Sequence, residues 1–211
     1  IPSSLVGSEM CIRDRHDIEM LRSLPSLPYS IAIPKIESAD ECRTFLKDLG
    51  TNILILPQIE TPRGIATIES WDCSNIEFSG IGFGSADYCA STGGDMGKAS
   101  LAYGRGKIIN AAALYNTLAL DGVWLDFRDP DGCKEETLYV KTMGFKGRFA
   151  IHPDQIKPIH DAYRPTTEEL EWAKGVLEEA KTAGSGAFKY QGKMVDAPVL
   201  AVARLIISRE D

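Results

Sequence analysis

The chain has 211 residues, 44% of them hydrophobic and 25% charged, the balance of an ordinary globular protein. Its net charge of −7, from 30 acidic and 23 basic residues, argues against a nucleic-acid partner, which needs a basic patch to neutralise phosphates. No apolar run approaches the ~18 residues of a membrane span, and the five scattered cysteines (Cys11, Cys42, Cys73, Cys89, Cys133) form no CxxC pair, so free thiols in a reducing cytoplasm fit them better than a disulfide framework or a zinc site.

Residues 1–15, IPSSLVGSEMCIRDR, show neither helical nor strand period and read as a non-native or disordered leader. After them the chain alternates. Ser30–Ile36 is a short apolar strand, and ESADECRTFLKDLG is a helix with Ser38 able to cap its start and Gly50 its end. Ile53–Ile59 is rich in β-branched residues and reads as strand. Thr61-Pro62 opens a helix, threonine as N-cap and proline in the first helical position. Phe78–Phe83 is a third strand ending in the loop GSADYCAS, followed by a long helix near Lys107–Leu120. Gly122–Phe127 is a fourth strand, Lys134–Met143 a helix and Phe149–His152 a fifth strand. Thr166–Ala183 is an amphipathic helix with a good cap; a Gly-rich link and a helix over Asp196–Ser208 close the chain.

Strand–helix alternation with apolar strands predicts an α/β fold with a parallel sheet covered by helices. A doubly wound sheet and a (β/α)8 barrel both satisfy it. No GxGxxG follows the first strand, which weakens the dinucleotide-binding version. The polar residues of interest stand at the C-terminal ends of several strands, as in barrel active sites. Five strand–helix units are present where a complete barrel has eight strands and usually ~250 residues.

Glu60 lies where strand gives way to helix, and Asp87 does the same one unit later. Adjacent parallel strands are about 4.8 Å apart, so the two carboxylates converge and one would take up a proton. A hard divalent cation removes that conflict, and Mg²⁺ keeps its other positions for water and substrate. Capping by Glu60 and Asp87 explains the same spacing equally well. Gly84, Ser85 and Ala86 let a ligand approach backbone N–H groups, or simply make a tight turn. His152, with Pro153 after it, ends the last strand; a lone histidine is more often structural. Asp196 stands at a helix start, where an N-cap aspartate is the plain reading.

Six motifs in order, IPKIES, LPQIETPRG, FGSADYCAS, GVWLDFRDPDG, GFKGRFAIHPDQI and GKMVDAPVL, make the chain resemble the citrate lyase β-subunit-like CoA-ester lyases among the HpcH/HpaI aldolases, from about Asp17 to the end. The resemblance implies a (β/α)8 TIM barrel, of which about the last five strand–helix units are present (16–165), with a C-terminal helical extension (166–211). It implies Mg²⁺ held by Glu60 and Asp87, a substrate carboxylate at Gly84, Ser85 and Ala86, and Arg63 and Lys35 near the barrel mouth. Ile151, His152 and Pro153 would lie beside CoA. Asp196 would be catalytic, reaching a neighbouring subunit's site in a homotrimer or hexamer. The implied reaction is cleavage of a malyl-CoA- or citramalyl-CoA-type β-hydroxyacyl thioester to acetyl-CoA and a 2-oxo acid. A citrate lyase β subunit acting on a carrier-bound citryl thioester, a CoA-independent aldolase and a non-enzymatic degenerate barrel are the alternatives. The family's three earlier strands, with a substrate-binding arginine and an acidic motif, have no counterpart here, so the chain by itself is expected to be inactive.

Overall fold

The computed structural model describes residues 11–183 and 186–210, with side chains from residue 16 onward. They divide into two compact units, one ending at Ala162 and one beginning at Tyr163.

In the first unit, α1 (Cys11–Ser23) leads into β1 (Ser30–Ile33), α2 (Ala39–Leu49), β2 (Leu54–Ile59) and α3 (Pro62–Thr67). Then come β3 (Ile81–Phe83), α4 (Ser85–Thr92), α5 (Lys98–Leu114), β4 (Ala119–Asp121), α6 (Pro130–Met143), β5 (Gly147–Arg148) and α7 (Ile156–Tyr163). The strands pair in the order β1-β2-β3-β4-β5, every pair parallel. Ile55 and Ile59 of β2, Ile81 and Phe83 of β3 and Ala119 of β4 are buried with Ile65, Ile68, Leu101, Ile108, Val140 and Phe145 from the helical side. Leu54, Leu56 and Gln58 point the opposite way and are half-buried. On that face a Cβ on Gly82 would come within 2.5 Å of the Gln58 side chain, so glycine lets the glutamine lie flat across β3.

The capping signals in the sequence form as read. Ser38 Oγ accepts from Glu41 N–H, and Gly50 closes α2 in the left-handed region. Thr61 Oγ1 accepts from Gly64 N–H at 3.0 Å, with Pro62 in the first turn of α3.

Several boundaries depart from expectation. Cys11–Arg15 belong to α1 although they lack a helical period; residues 1–10 of the expected leader lie outside the described residues. β1 stops at Ile33 because Lys35 turns the chain at φ 54°. β3 begins at Ile81, and Phe78 makes only an isolated bridge to Ile55. The long helix starts nine residues before Lys107 and ends at Leu114, not Leu120; Asn116, in the left-handed region at φ 50°, breaks it. The fourth strand is therefore Ala119–Asp121, and Gly122–Phe127 is a loop. The fifth is Gly147–Arg148, because His152 already caps a short 3-10 turn at Pro153–Gln155.

The second unit contains α8 (Thr167–Ala183), the antiparallel hairpin β6 (Phe188–Tyr190) and β7 (Lys193–Val195), and α9 (Ala197–Ile207). The segment read as a Gly-rich link is this hairpin, turned by Gln191 and Gly192, both at positive φ. Thr166 and Glu169 form a reciprocal capping box at the start of α8. Ala173, Val176, Val195 and Ala203 form the unit's own small core.

Candidate functional site

Glu60 follows directly on β2, and its side chain is held from two sides. The backbone N–H of Lys35 donates to its Oε1 at 3.0 Å. Its Oε2 and Cβ would lie only 2.2 and 2.3 Å from a Cβ on Gly84, so the carboxylate rests on a glycine backbone that no other residue could supply. Gly84 is in turn tied to β2, its N–H donating to Ile59 O at 3.1 Å. Three residues later Asp87 stands exposed in the first turn of α4. The two carboxylates sense each other: burial, and then the charge of Asp87, push the Glu60 carboxyl up to about 7 although it accepts from Lys35. With only 8% of Glu60 exposed, its ionised form is poorly solvated.

Two carboxylates that repel each other, one desolvated and one open to water, suit a hard divalent cation. Mg²⁺ is commonly bound through one or two carboxylates while keeping several waters or substrate oxygens. Among the described residues no three His, Cys, Asp or Glu side chains gather into a closed cage. The donor set therefore fits an open Mg²⁺ site rather than a structural one. Beside it the N-terminus of α4 carries no side-chain cap, its N-cap being Gly84. The first N–H groups of such a helix lack intrahelical partners and attract an anion.

The other sequence-predicted residues distribute unevenly. Lys35 reaches the site through its main chain. Arg63, in the first turn of α3, is exposed and pairs with Glu37 at 3.6 Å. Ile151, His152 and Pro153 follow β5: Ile151 N–H donates to Gln155 Oε1, and Gln155 Nε2 donates to Trp124 O. The His152 ring stacks on Phe127 with centroids 4.8 Å apart. A groove of about 660 Å³ lined by Phe127, Arg128, Lys134, Pro153 and Lys157 runs alongside. Asp196, in the second unit, accepts from Val199 N–H at 3.3 Å as the N-cap of α9. That is the capping role the sequence already allowed.

Sequence reasoning missed a buried ionic cluster at the top of β4. Asp121, fully buried, accepts from Arg105 Nε and Nη2, both at 3.1 Å, and from Arg148 Nη2 at 2.9 Å. Arg105 also meets Glu136 at 2.8 Å, and Arg148 Nε donates to Gly122 O at 2.9 Å. The signal was present: Asp121-Gly122 after an apolar run is a strand end. It is hidden because the apolar run up to Leu120 fits a buried helix as well as a buried strand.

The sequence pattern of the HpcH/HpaI aldolase/citrate lyase family matches residues 8–153, and that of the C-C bond lyases of the TIM-barrel fold matches residues 106–210. The chain belongs to the HpcH/HpaI aldolase/citrate lyase family. Among curated relatives, the mitochondrial citramalyl-CoA lyase of Mus musculus is 29% identical over 91% of this chain. This chain spans 63% of that relative's length. Among solved structures, the CitE protein of Mycobacterium tuberculosis in complex with magnesium, acetoacetate and coenzyme A is 30% identical with a TM-score of 0.76, covering 97% of this chain and 75% of that one. The citrate lyase β subunit of M. tuberculosis with oxaloacetate and magnesium is 29% identical with a TM-score of 0.60, covering 71% and 67%. The fold is accordingly of the TIM-barrel type, five consecutive parallel strands of it lying in the first unit.

Proposed function

We propose that this family member serves a Mg²⁺-dependent carbon–carbon lyase that cleaves a β-hydroxyacyl-CoA thioester of the citramalyl- or malyl-CoA type into acetyl-CoA and a 2-oxo acid. The observation that carries the reading is the Glu60 carboxylate seated on Gly84 beside the Asp87 charge. Glu60 and Asp87 hold the metal, which when bound polarises the forming carbonyl. The backbone around Gly84, Ser85 and Ala86 receives the substrate carboxylate, through the N–H groups of Ser85 and Ala86, since that of Gly84 is bonded to Ile59 O. Arg63 and Lys35 line the approach, Lys35 also fixing Glu60 through its backbone. The CoA moiety lies along Ile151, His152 and Pro153, beside the Phe127 ring and a groove whose lining mixes Arg128, Lys134 and Lys157 with Asp131, Asp154 and Asp161.

Cleavage removes the hydroxyl proton, breaks the carbon–carbon bond and leaves a thioester enolate, whose carbon then takes up a proton. Asp196 is the acid/base at that acyl carbon, contributed to a neighbouring subunit's site in a homotrimer or hexamer. We place the protein in the cytoplasm; among the described residues no helix is long and apolar enough to cross a membrane. Glu60, Asp87 and the start of α4 form the metal and 2-oxo-acid part of the site.

Calorimetric titration of oxaloacetate into the Mg²⁺-loaded chain tests the reading. Binding that disappears with chelator, and in Glu60→Gln, is expected. A folded, Mg²⁺-loaded chain that ignores oxaloacetate and pyruvate alike would refute it.

A further inference from the structure

The hydroxyl of Ser85 has no role in the fold. Ser85 is the first residue of α4, only 2% exposed, and its Oγ is buried without any hydrogen-bond partner. It is pressed instead against bare backbone: a Cβ on Gly122 would lie 1.9 Å from Oγ and 2.6 Å from the Ser85 Cβ. Gly122 cannot readily move aside, because its carbonyl is held by Arg148 Nε at 2.9 Å and Arg148 is itself anchored on Asp121. An unsatisfied buried hydroxyl destabilises a protein, and alanine would fill the same place without that cost.

Serine has three staggered χ1 wells, and Oγ gives up no hydrogen bond in leaving Gly122. The uncapped N–H groups of the α4 start lie immediately beside it, and Glu60 rests on Gly84 one residue before. An anion received there would offer the acceptor that the fold withholds.

We propose that Ser85 Oγ reads the ligand: it turns from Gly122 and donates a hydrogen bond to the carboxylate of the 2-oxo acid bound at the start of α4. The proposal rests on the oxo-acid reading of this site and adds to it a side-chain donor. Hydrogen bonds to an ionised acceptor are the strong ones, so the hydroxyl raises affinity for the acid while leaving the metal ligands untouched.

The test compares wild type with Ser85→Ala by three measurements: Mg²⁺ affinity alone, oxaloacetate affinity at saturating Mg²⁺, and the melting temperature of the ligand-free protein. Expected for Ser85→Ala are an unchanged Mg²⁺ affinity, an oxaloacetate Kd raised about tenfold or more, and a melting temperature equal to or above wild type. Equal oxaloacetate affinity in the two proteins overturns this inference alone. A lowered melting temperature with Mg²⁺ and oxaloacetate affinities falling together shows a structural hydroxyl and also overturns it. Failure of wild type to bind oxaloacetate removes the underlying reading, and this inference with it.

Discussion

Lowering the pH from 8 to 6 should weaken Mg²⁺ binding about tenfold, because the metal takes the ionised carboxylate and Glu60 holds its proton up to about pH 7. At pH 8 about nine-tenths of Glu60 is ionised, and at pH 6 about one-tenth; a carboxyl at its ordinary 4.5 would change by only a few per cent over that range. The metal-free protein should show the opposite dependence. Its Glu60 binds a proton more tightly folded than unfolded, so the associated stability is fully present below pH 4.5 and is lost as pH rises through about 7. Two and a half pH units at 1.36 kcal/mol each set an upper bound of about 3–4 kcal/mol. Urea melts at pH 5 to 8, with and without Mg²⁺, together with proton release on metal addition, measure both limbs. A Mg²⁺ affinity flat between pH 6 and 8 would refute the claim that Glu60 is a desolvated ligand crowded by Asp87.

Two further outcomes follow from packing. Gly84→Ala drives a methyl into the space of Glu60 Oε2 and Cβ; it should abolish Mg²⁺ binding by calorimetry and cost about 1–3 kcal/mol in a urea melt. Asp121→Asn removes the negative charge that Arg105 and Arg148 share in the interior; it should cost about 3–5 kcal/mol, measured the same way.

The sequence was most legible where one residue's chemistry decides a local conformation. Thr61-Pro62, Ser38, Gly50 and Asp196 cap the helices read from them because capping depends on neighbours in the chain. That Asp87 would bear electrostatically on Glu60 was legible because parallel strands bring successive strand ends together. Boundaries inside continuous apolar stretches were not legible. From Ala111 to Leu120 a buried helix and a buried strand look alike, and the break at Asn116 depends on a left-handed backbone that sequence does not announce. Nor was the contact of Ser85 with Gly122, since it joins residues 37 positions apart and depends on β4 ending at Asp121, where the sequence pattern suggests a strand beginning at Gly122.

The Asp121 cluster also bears on how the last two strands find their alignment. β4 meets β5 through only two residue pairs, Leu120 with Gly147 and Asp121 with Arg148. So short a ladder discriminates weakly between neighbouring registers, but a slip of one residue along β4 would turn Asp121 toward the opposite face. Arg148 would then be left buried without its counter-charge and Arg105 with Glu136 alone, at a cost larger than the two pairings could return. Ionic matching across α5, β4 and β5 thus acts as a registration key, rejecting misaligned strands where hydrogen bonding alone could not.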